Sequence, residues 1–143
     1  MKTRPPIPAR VLRREIPSRL PAVESLCRVI RALLQQHGLA AVAFPVELSA
    51  RECLNNAALH GNRRLATKRI GLDFRIGRKW IRLQVTDQGR GYDWRRARAA
   101  TLSEGTKTSG RGLAICTLYA QRVAFNQRGN RITLWLAKSK KEQ

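Results

Sequence analysis

Acidic residues are scarce in this chain. It holds 9 aspartates and glutamates against 29 lysines and arginines, a net charge of +20 over 143 residues. A surface so short of carboxylates favours acidic partners. Cysteine is scarcer still. Cys27, Cys53 and Cys116 form no CxxC pair. Each falls within an apolar helical pattern, which reads as buried, reduced thiols rather than a metal site. Long apolar runs are missing too. The longest, Leu39 to Val46, is far too short to span a bilayer. The opening MKTRPPIPAR lacks the apolar centre of a signal peptide. A cytoplasmic protein with no membrane partner is therefore expected. No internal repeat and no recognisable nucleic-acid-binding module occurs. The basic residues, 22 arginines and 7 lysines, are scattered along the whole sequence. That scatter speaks against direct nucleic-acid binding.

What is present suffices for one domain with its own core, since 43% of the residues are apolar. Residues 1–10 are basic and carry three prolines, so they read as a loose arm. The domain is expected over 11–137, with 138–143 a solvated tail. Val11 to Ile16 reads as a short strand, and Ser18 as a helix cap. Leu20, Val23, Leu26, Cys27, Ile30, Leu33 and Leu34 recur at helical spacing, and Gly38 stops that helix. Pro45 suits the first turn of a second helix, which runs to a glycine stop at Gly61. Ile70 to Ile76 and Ile81 to Val85 alternate apolar with polar residues around Gly77-Arg78, the pattern of a β-hairpin. Residues 95–109 lack a sustained period and read as a lid loop. A third helix is expected from Leu113 to about Gln121. A last hairpin, Val123 to Phe125 and Ile132 to Leu136, turns at Gly129-Asn130. So few strands, linked in this order, predict an α+β fold: a two-layer sandwich of a mostly antiparallel mixed sheet with three helices on one face.

Chemistry-bearing residues fall in three stretches. In LSARECLNNAALHGN, Glu52 and Asn56 lie one helical turn apart on one face. A carboxylate there can take a proton, and an amide oxygen can ligate a hard cation. Either can equally be a solvated surface residue. In DQGRGYDW, Asp87 ends an apolar strand and needs donors, from the next turn or from a ligand amine. Gly89 and Gly91 let the backbone turn sharply and approach a ligand closely. In SGRGL, Gly110 to Leu113 open a helix whose free amides suit phosphate, although Gly112 alone could be a packing residue.

Taken in order, ExxxNAxxHGN, DxGxGxD and SGRGL resemble the N, G1 and G2 boxes of the GHKL ATPase superfamily, which includes gyrase, histidine kinases and mismatch-repair ATPases. IPSRL before the first helix, HGN closing the N box, and SGRGLAI after a short lid resemble the bacterial anti-sigma factor serine/threonine kinases, over roughly Arg13 to Leu136. The resemblance implies a Bergerat-type ATP-binding fold, with ATP and Mg²⁺ as cofactors. It implies Glu52 as general base and Asn56 as Mg²⁺ ligand. Asp87 would accept from the adenine amine, Gly89 and Gly91 would form the pocket wall, and Gly110, Arg111, Gly112 and Leu113 would hold the phosphates. It further implies a homodimer that binds a sigma factor and phosphorylates an anti-anti-sigma factor in a partner switch. Gln88 departs from the family, which usually has Asn after the G1 aspartate, and Gln121 stands for a common Asp. Asn130 and Thr133 compete for a position near the adenine. Three other functions compete. A histidine-kinase catalytic domain is disfavoured because no phosphoacceptor helix pair precedes the domain. An ATP-binding regulatory module without phosphoryl transfer is disfavoured by Glu52. Direct nucleic-acid binding rests on charge alone.

Overall fold

Alternation organises the sheet. In the computed structural model, which describes residues 9–91, 115–116 and 118–139, five strands form one sheet: β1 (Ala9–Pro17), β2 (Arg69–Ile76), β3 (Trp80–Thr86), β4 (Arg122–Phe125) and β5 (Arg131–Ala137). Their spatial order is β1-β2-β3-β5-β4, and all four pairings are antiparallel. Along β2, Ile70, Leu72 and Phe74 are buried; along β3, Ile81, Leu83 and Val85 are. The register sets Leu72 against Val85, Phe74 against Leu83 and Leu83 against Leu134. One side of the sheet is thus a continuous apolar floor, because directly paired residues share a face.

Two helices cover that floor. Helix α1 (Leu20–Gln36) buries Val23, Leu26, Cys27, Ile30 and Leu34. It ends at Gly38, whose φ of +71° is the left-handed conformation glycine adopts freely, and the Leu39 amide returns to the Leu34 carbonyl at 2.7 Å. Helix α2 (Ala43–Asn56) follows a 3₁₀ turn at Ala40–Val42 and buries Val46, Ala50, Cys53 and Leu54. A π-helical turn, Ala57–Gly61, extends it. Residues 115, 116, 118 and 119 are helical and belong to the expected third helix; its start, with the lid at 95–109, lies outside the described residues. The architecture is the α+β arrangement expected from the sequence, except that the described sheet is antiparallel throughout rather than mixed and two of the three helices are described in full.

Two local expectations change. Strand β1 begins at Ala9, two residues earlier than its apolar pattern suggested, because a bulge between Arg10 and Leu12 lets it stay in register with β2. Ser18 does not cap α1. Arg19 holds the N-cap position without a side-chain bond, and the buried Ser18 hydroxyl donates to the Lys68 carbonyl at 2.8 Å. A tertiary acceptor has taken the hydroxyl that the helix start would have used.

The helices are tied to each other by charge. Glu47, buried, receives two bonds of 2.6 Å from Arg31 and one of 3.1 Å from Arg51, which also grips Glu24 at 2.8 and 3.1 Å. The Arg31 hydrogen bonds hold the Glu47 carboxyl below its ordinary value against the opposing effect of burial. A carboxylate depressed in the folded state adds stability that is complete above its unfolded value, near 4.5, and is lost as pH falls through the folded value. Thermal unfolding followed from neutral to acid pH should therefore lose part of its melting temperature below about pH 4.5. Glu47→Gln should start lower at neutral pH and flatten that acid loss; an unchanged acid slope would refute the assignment.

Candidate functional site

The end of α2 and the end of β3 meet. The π-helical turn carries Gly61 onto the Asp87 carboxylate, so closely that a Cβ on Gly61 would strike it. A Cβ on Gly89 would strike the Gly61 carbonyl, and one on Gly91 would strike the Arg128 carbonyl. Gly91 also has φ +83°, in the region that disfavours side chains. These glycines are therefore fixed by contact. They let two backbone segments and one carboxylate share a space that side chains would fill.

Asp87 is 8% exposed. Among the described residues, the one donor to its carboxylate is the Gly89 amide, at 2.8 Å. Burial pushes its pKa up, with the Gly89 bond and the charges of Arg128 and Lys68 opposing. A buried carboxylate with few donors is suited to a ligand that brings one. Its backbone is locked by Asn130: the Asp87 amide donates to the Asn130 carbonyl and the Asn130 Nδ2 donates to the Asp87 carbonyl, both at 2.9 Å. Of the two competing positions, Asn130 thus lies at the Asp87 turn. Thr133 takes a bond from Gln84 Nε2 at 3.0 Å and pairs with Gln84, in a row on the side of the sheet that none of the described helices covers, called the helix-free side below in that sense.

Behind this turn lies a buried polar cluster that the sequence did not single out. Asn62, fully buried, donates through Nδ2 to Ser18 Oγ at 2.8 Å and to the Arg69 carbonyl at 3.0 Å. Its Oδ1 accepts the Gln88 amide at 2.8 Å. Gln88 Oε1 in turn accepts the Arg69 amide at 2.6 Å. The departure from Asn at position 88 therefore has a use, since the longer amide reaches the start of β2. Arg128 spans the turn from the other side, with Nη2 donating to the Gly89 carbonyl at 3.1 Å.

Glu52 and Asn56 are both half-buried on the last turns of α2, one turn apart, on the helix whose extension ends at Gly61. Cys53, between them, meets Cys116 with the two sulfurs 3.4 Å apart, both residues buried. Phe44 packs edge-on against Tyr119, centroids 6.5 Å apart. These contacts hold the segment that follows the second glycine motif against α2. Gly110, Arg111, Gly112 and Leu113 themselves lie outside the described residues. Burial raises the Cys27 thiol to about 11, and the neighbouring Cys116 together with burial raises Cys53. Thiols shifted this way are packing groups at neutral pH.

A nucleotide fits this arrangement by its donor chemistry. A buried, donor-poor carboxylate faces a glycine cradle, as an exocyclic amine beside a flat ring requires. Two substitutions test the construction. Gly61→Ala should displace Asp87 and lower nucleotide affinity about tenfold or more, the cost of one charge-assisted bond. Asn62→Ala strands the Gln88 amide and the Arg69 carbonyl, and should cost about 2–4 kcal/mol of stability. Calorimetry and denaturant melts measure the two effects; wild-type values for either variant would break the corresponding link.

The model of the histidine kinase-like ATPase domain family matches residues 16–137, from the last two residues of β1 to the end of β5, with every described part of the site. No curated protein matches the chain. With the match covering most of the sequence, the chain belongs to the histidine kinase-like ATPase domain family, whose domain binds ATP.

Proposed function

We propose that this domain is an anti-sigma factor with Mg²⁺-ATP-dependent serine/threonine protein kinase activity. The observation that carries the reading is the joining of Gly61 to Asp87. It ties the helix bearing Glu52 and Asn56 to the adenine-side carboxylate in one rigid unit. When bound, ATP supplies the phosphoryl group that passes to a protein hydroxyl. Phosphoryl transfer needs positioning and charge neutralisation more than covalent help. Asp87 accepts a hydrogen bond from the adenine amine and fixes the base. Asn56 offers its amide oxygen to Mg²⁺, which takes few protein ligands. Glu52, one turn earlier, accepts the proton of the attacking hydroxyl. Gly110 to Leu113 contribute backbone amides to the phosphates. The partners are a sigma factor and an anti-anti-sigma factor, the latter the phosphorylation substrate. A homodimer is part of the reading, supported by the nine-residue β1 at the sheet edge. The second reading is an ATP-binding regulatory module that transfers nothing, and Glu52 weighs against it.

Binding and chemistry should separate by residue. Asp87→Ala should weaken ATP about tenfold to a hundredfold, equivalent to about 1.5–3 kcal/mol. Because burial raises the Asp87 pKa, wild-type affinity should start to fall, on acidification, at a higher pH than for an ordinary aspartate. Glu52→Ala should keep ATP affinity and lose transfer, and Asn56→Ala should lose the Mg²⁺-dependent part of binding. The measurements are calorimetry with ATP and labelled-phosphate transfer to co-encoded small sheet-helix proteins. Wild-type transfer by Glu52→Ala would move the base elsewhere, and undiminished ATP binding by Asp87→Ala would reject the pocket. Light scattering at tens of micromolar (about that range) should give a dimer mass.

A further inference from the structure

The sequence scatters its arginines, but the fold gathers them. The sheet has one side under α1 and α2. The strand rows of the other side carry Arg13, Arg69, Arg75, Arg82, Arg122 and Arg131, with Asp73 and Glu15 as the carboxylates. Every cation in these rows is arginine. One row reads Arg75, Arg82, Trp135, Arg122 across four adjacent strands. Trp80 lies on the same face and is 40% exposed. Several guanidiniums are fixed at one edge by neutral acceptors. Arg131 Nε donates to Thr86 Oγ1 at 3.0 Å, and Arg69 Nη2 to the Glu15 carbonyl at 3.3 Å. Arg82 Nε is buried without a hydrogen bond. Arg75 and Arg82 share the Asp73 carboxylate, whereas Arg69 and Arg131 are held in place by neutral acceptors.

We propose that the helix-free face of the sheet is a docking surface for an acidic polypeptide segment. Charge complementarity selects the occupant. The chain's own remaining segments, 1–8, 92–114 and 140–143, are each net basic, and a second copy presents the same positive face. Like charge disfavours both as occupants. The face already holds one carboxylate in the mode a partner would use: Asp73 Oδ1 takes Arg75 Nε at 2.8 Å, with Arg82 Nη2 at 3.8 Å. Arginine forks bind carboxylates with geometric specificity that a lysine point charge lacks. Single-stranded polynucleotides add base stacking on aromatic faces to their phosphate contacts. Here the Trp135 ring carries the Arg122 guanidinium 4.9 Å above its centroid, which leaves Trp80 as the one exposed tryptophan of the described face, while the arginine forks suit carboxylates throughout. Acidic peptide is the better fit.

The proposal rests on the kinase reading only in supposing a protein partner, and its test reads a different part of the molecule. A labelled peptide of alternating glutamate and alanine is titrated with the full chain at physiological salt, and anisotropy is measured. Arg122→Gln and Arg131→Gln, both at exposed positions, should each weaken binding about three- to tenfold. Arg28→Gln removes the same charge from the exposed side of α1 and should change binding little. ATP affinity, measured in parallel, should be the same in all four proteins, and thermal melts confirm that each variant folds. Absence of peptide binding would overturn the proposal, as would equal loss in Arg28→Gln. A single-stranded oligothymidylate of matched charge is the third arm. Tighter binding of that probe, lost in the same two sheet variants, would reassign the face to nucleic acid. Loss of ATP binding in the wild-type chain would instead sink the function proposed above and leave the peptide result standing.

Discussion

The Asn62 side chain is the constraint on which the other contacts of this domain depend. A fully buried amide must satisfy its donors and acceptor or forfeit several kcal/mol of hydration. Asn62 does so across three segments that are far apart in sequence: Ser18 between β1 and α1, Arg69 at the start of β2, and Gln88 after β3. None of these bonds forms unless the helices are already seated on the sheet with the right register. Gln88 then returns to Arg69, so the cluster closes on itself. Its members gain more together than apart, and partial formation leaves buried polar groups exposed to penalty. That makes the turn after β3 a rigid object. Asp87, one residue before Gln88, inherits its position from this cluster and from Asn130, before any ligand arrives.

The contrast between what was legible and what was not follows from the range of the interactions. β2 and β3 were legible because their code is local: period-two burial needs only one apolar core. Asp87 was legible because a carboxylate at the end of such a strand is anomalous. Gly61 was read as a helix stop, which describes the chain direction and misses its contact with Asp87. Ser18 was read as a cap for the same reason: serine before a helix has a local partner available, and only the fold shows that Lys68 supplies a better one. Asn62 was invisible in role. An asparagine after a glycine looks like a turn residue, and its three partners lie 44, 7 and 26 positions away. Of the site residues, Glu52, Asn56, Asp87, Gly89 and Gly91 fall on the helix and the turn assigned to them from the sequence. Gly110 to Leu113 lie outside the described residues, and their part in the site rests on the sequence alone.

The distribution of charge was equally illegible, though the total was plain. Of the few carboxylates, Glu24 and Glu47 serve Arg31 and Arg51 between the two helices. Asp87 is spent on the site, since a carboxylate buried there cannot screen the surface. Little is left for the sheet. The helical layer is therefore cross-linked by ion pairs, whereas on the opposite face Asp73 serves Arg75 and Arg82 and neutral acceptors hold Arg69 and Arg131. A net charge of +20 describes the solution behaviour of the chain, but the asymmetry between its two layers decides which side an acidic partner meets first.

The same asymmetry bears on how nucleotide and protein partners can share so small a domain. The proposed nucleotide site lies at one end of the sandwich, where β3, the β4–β5 turn and the extension of α2 converge. The arginine rows lie across the back of the same strands. β3 belongs to both: it carries Arg82 on the open face and delivers Asp87 to the pocket five residues later. β5 likewise carries Trp135 and Arg131 on the open face, while Asn130, just before its first residue, locks the Asp87 backbone. An occupant of the sheet face and an occupant of the pocket therefore press on the same two strands from different directions. Packed strands transmit such pressure as small register-preserving shifts, because their apolar floor cannot slip by one residue without inverting every side chain. The elements that the two surfaces share end in the turns at Thr86 to Gly89 and Asn126 to Asn130, where side-chain bonds to Asn62, Asp87, Asn126 and Asn130 take over from the strand ladder and keep that shared end rigid.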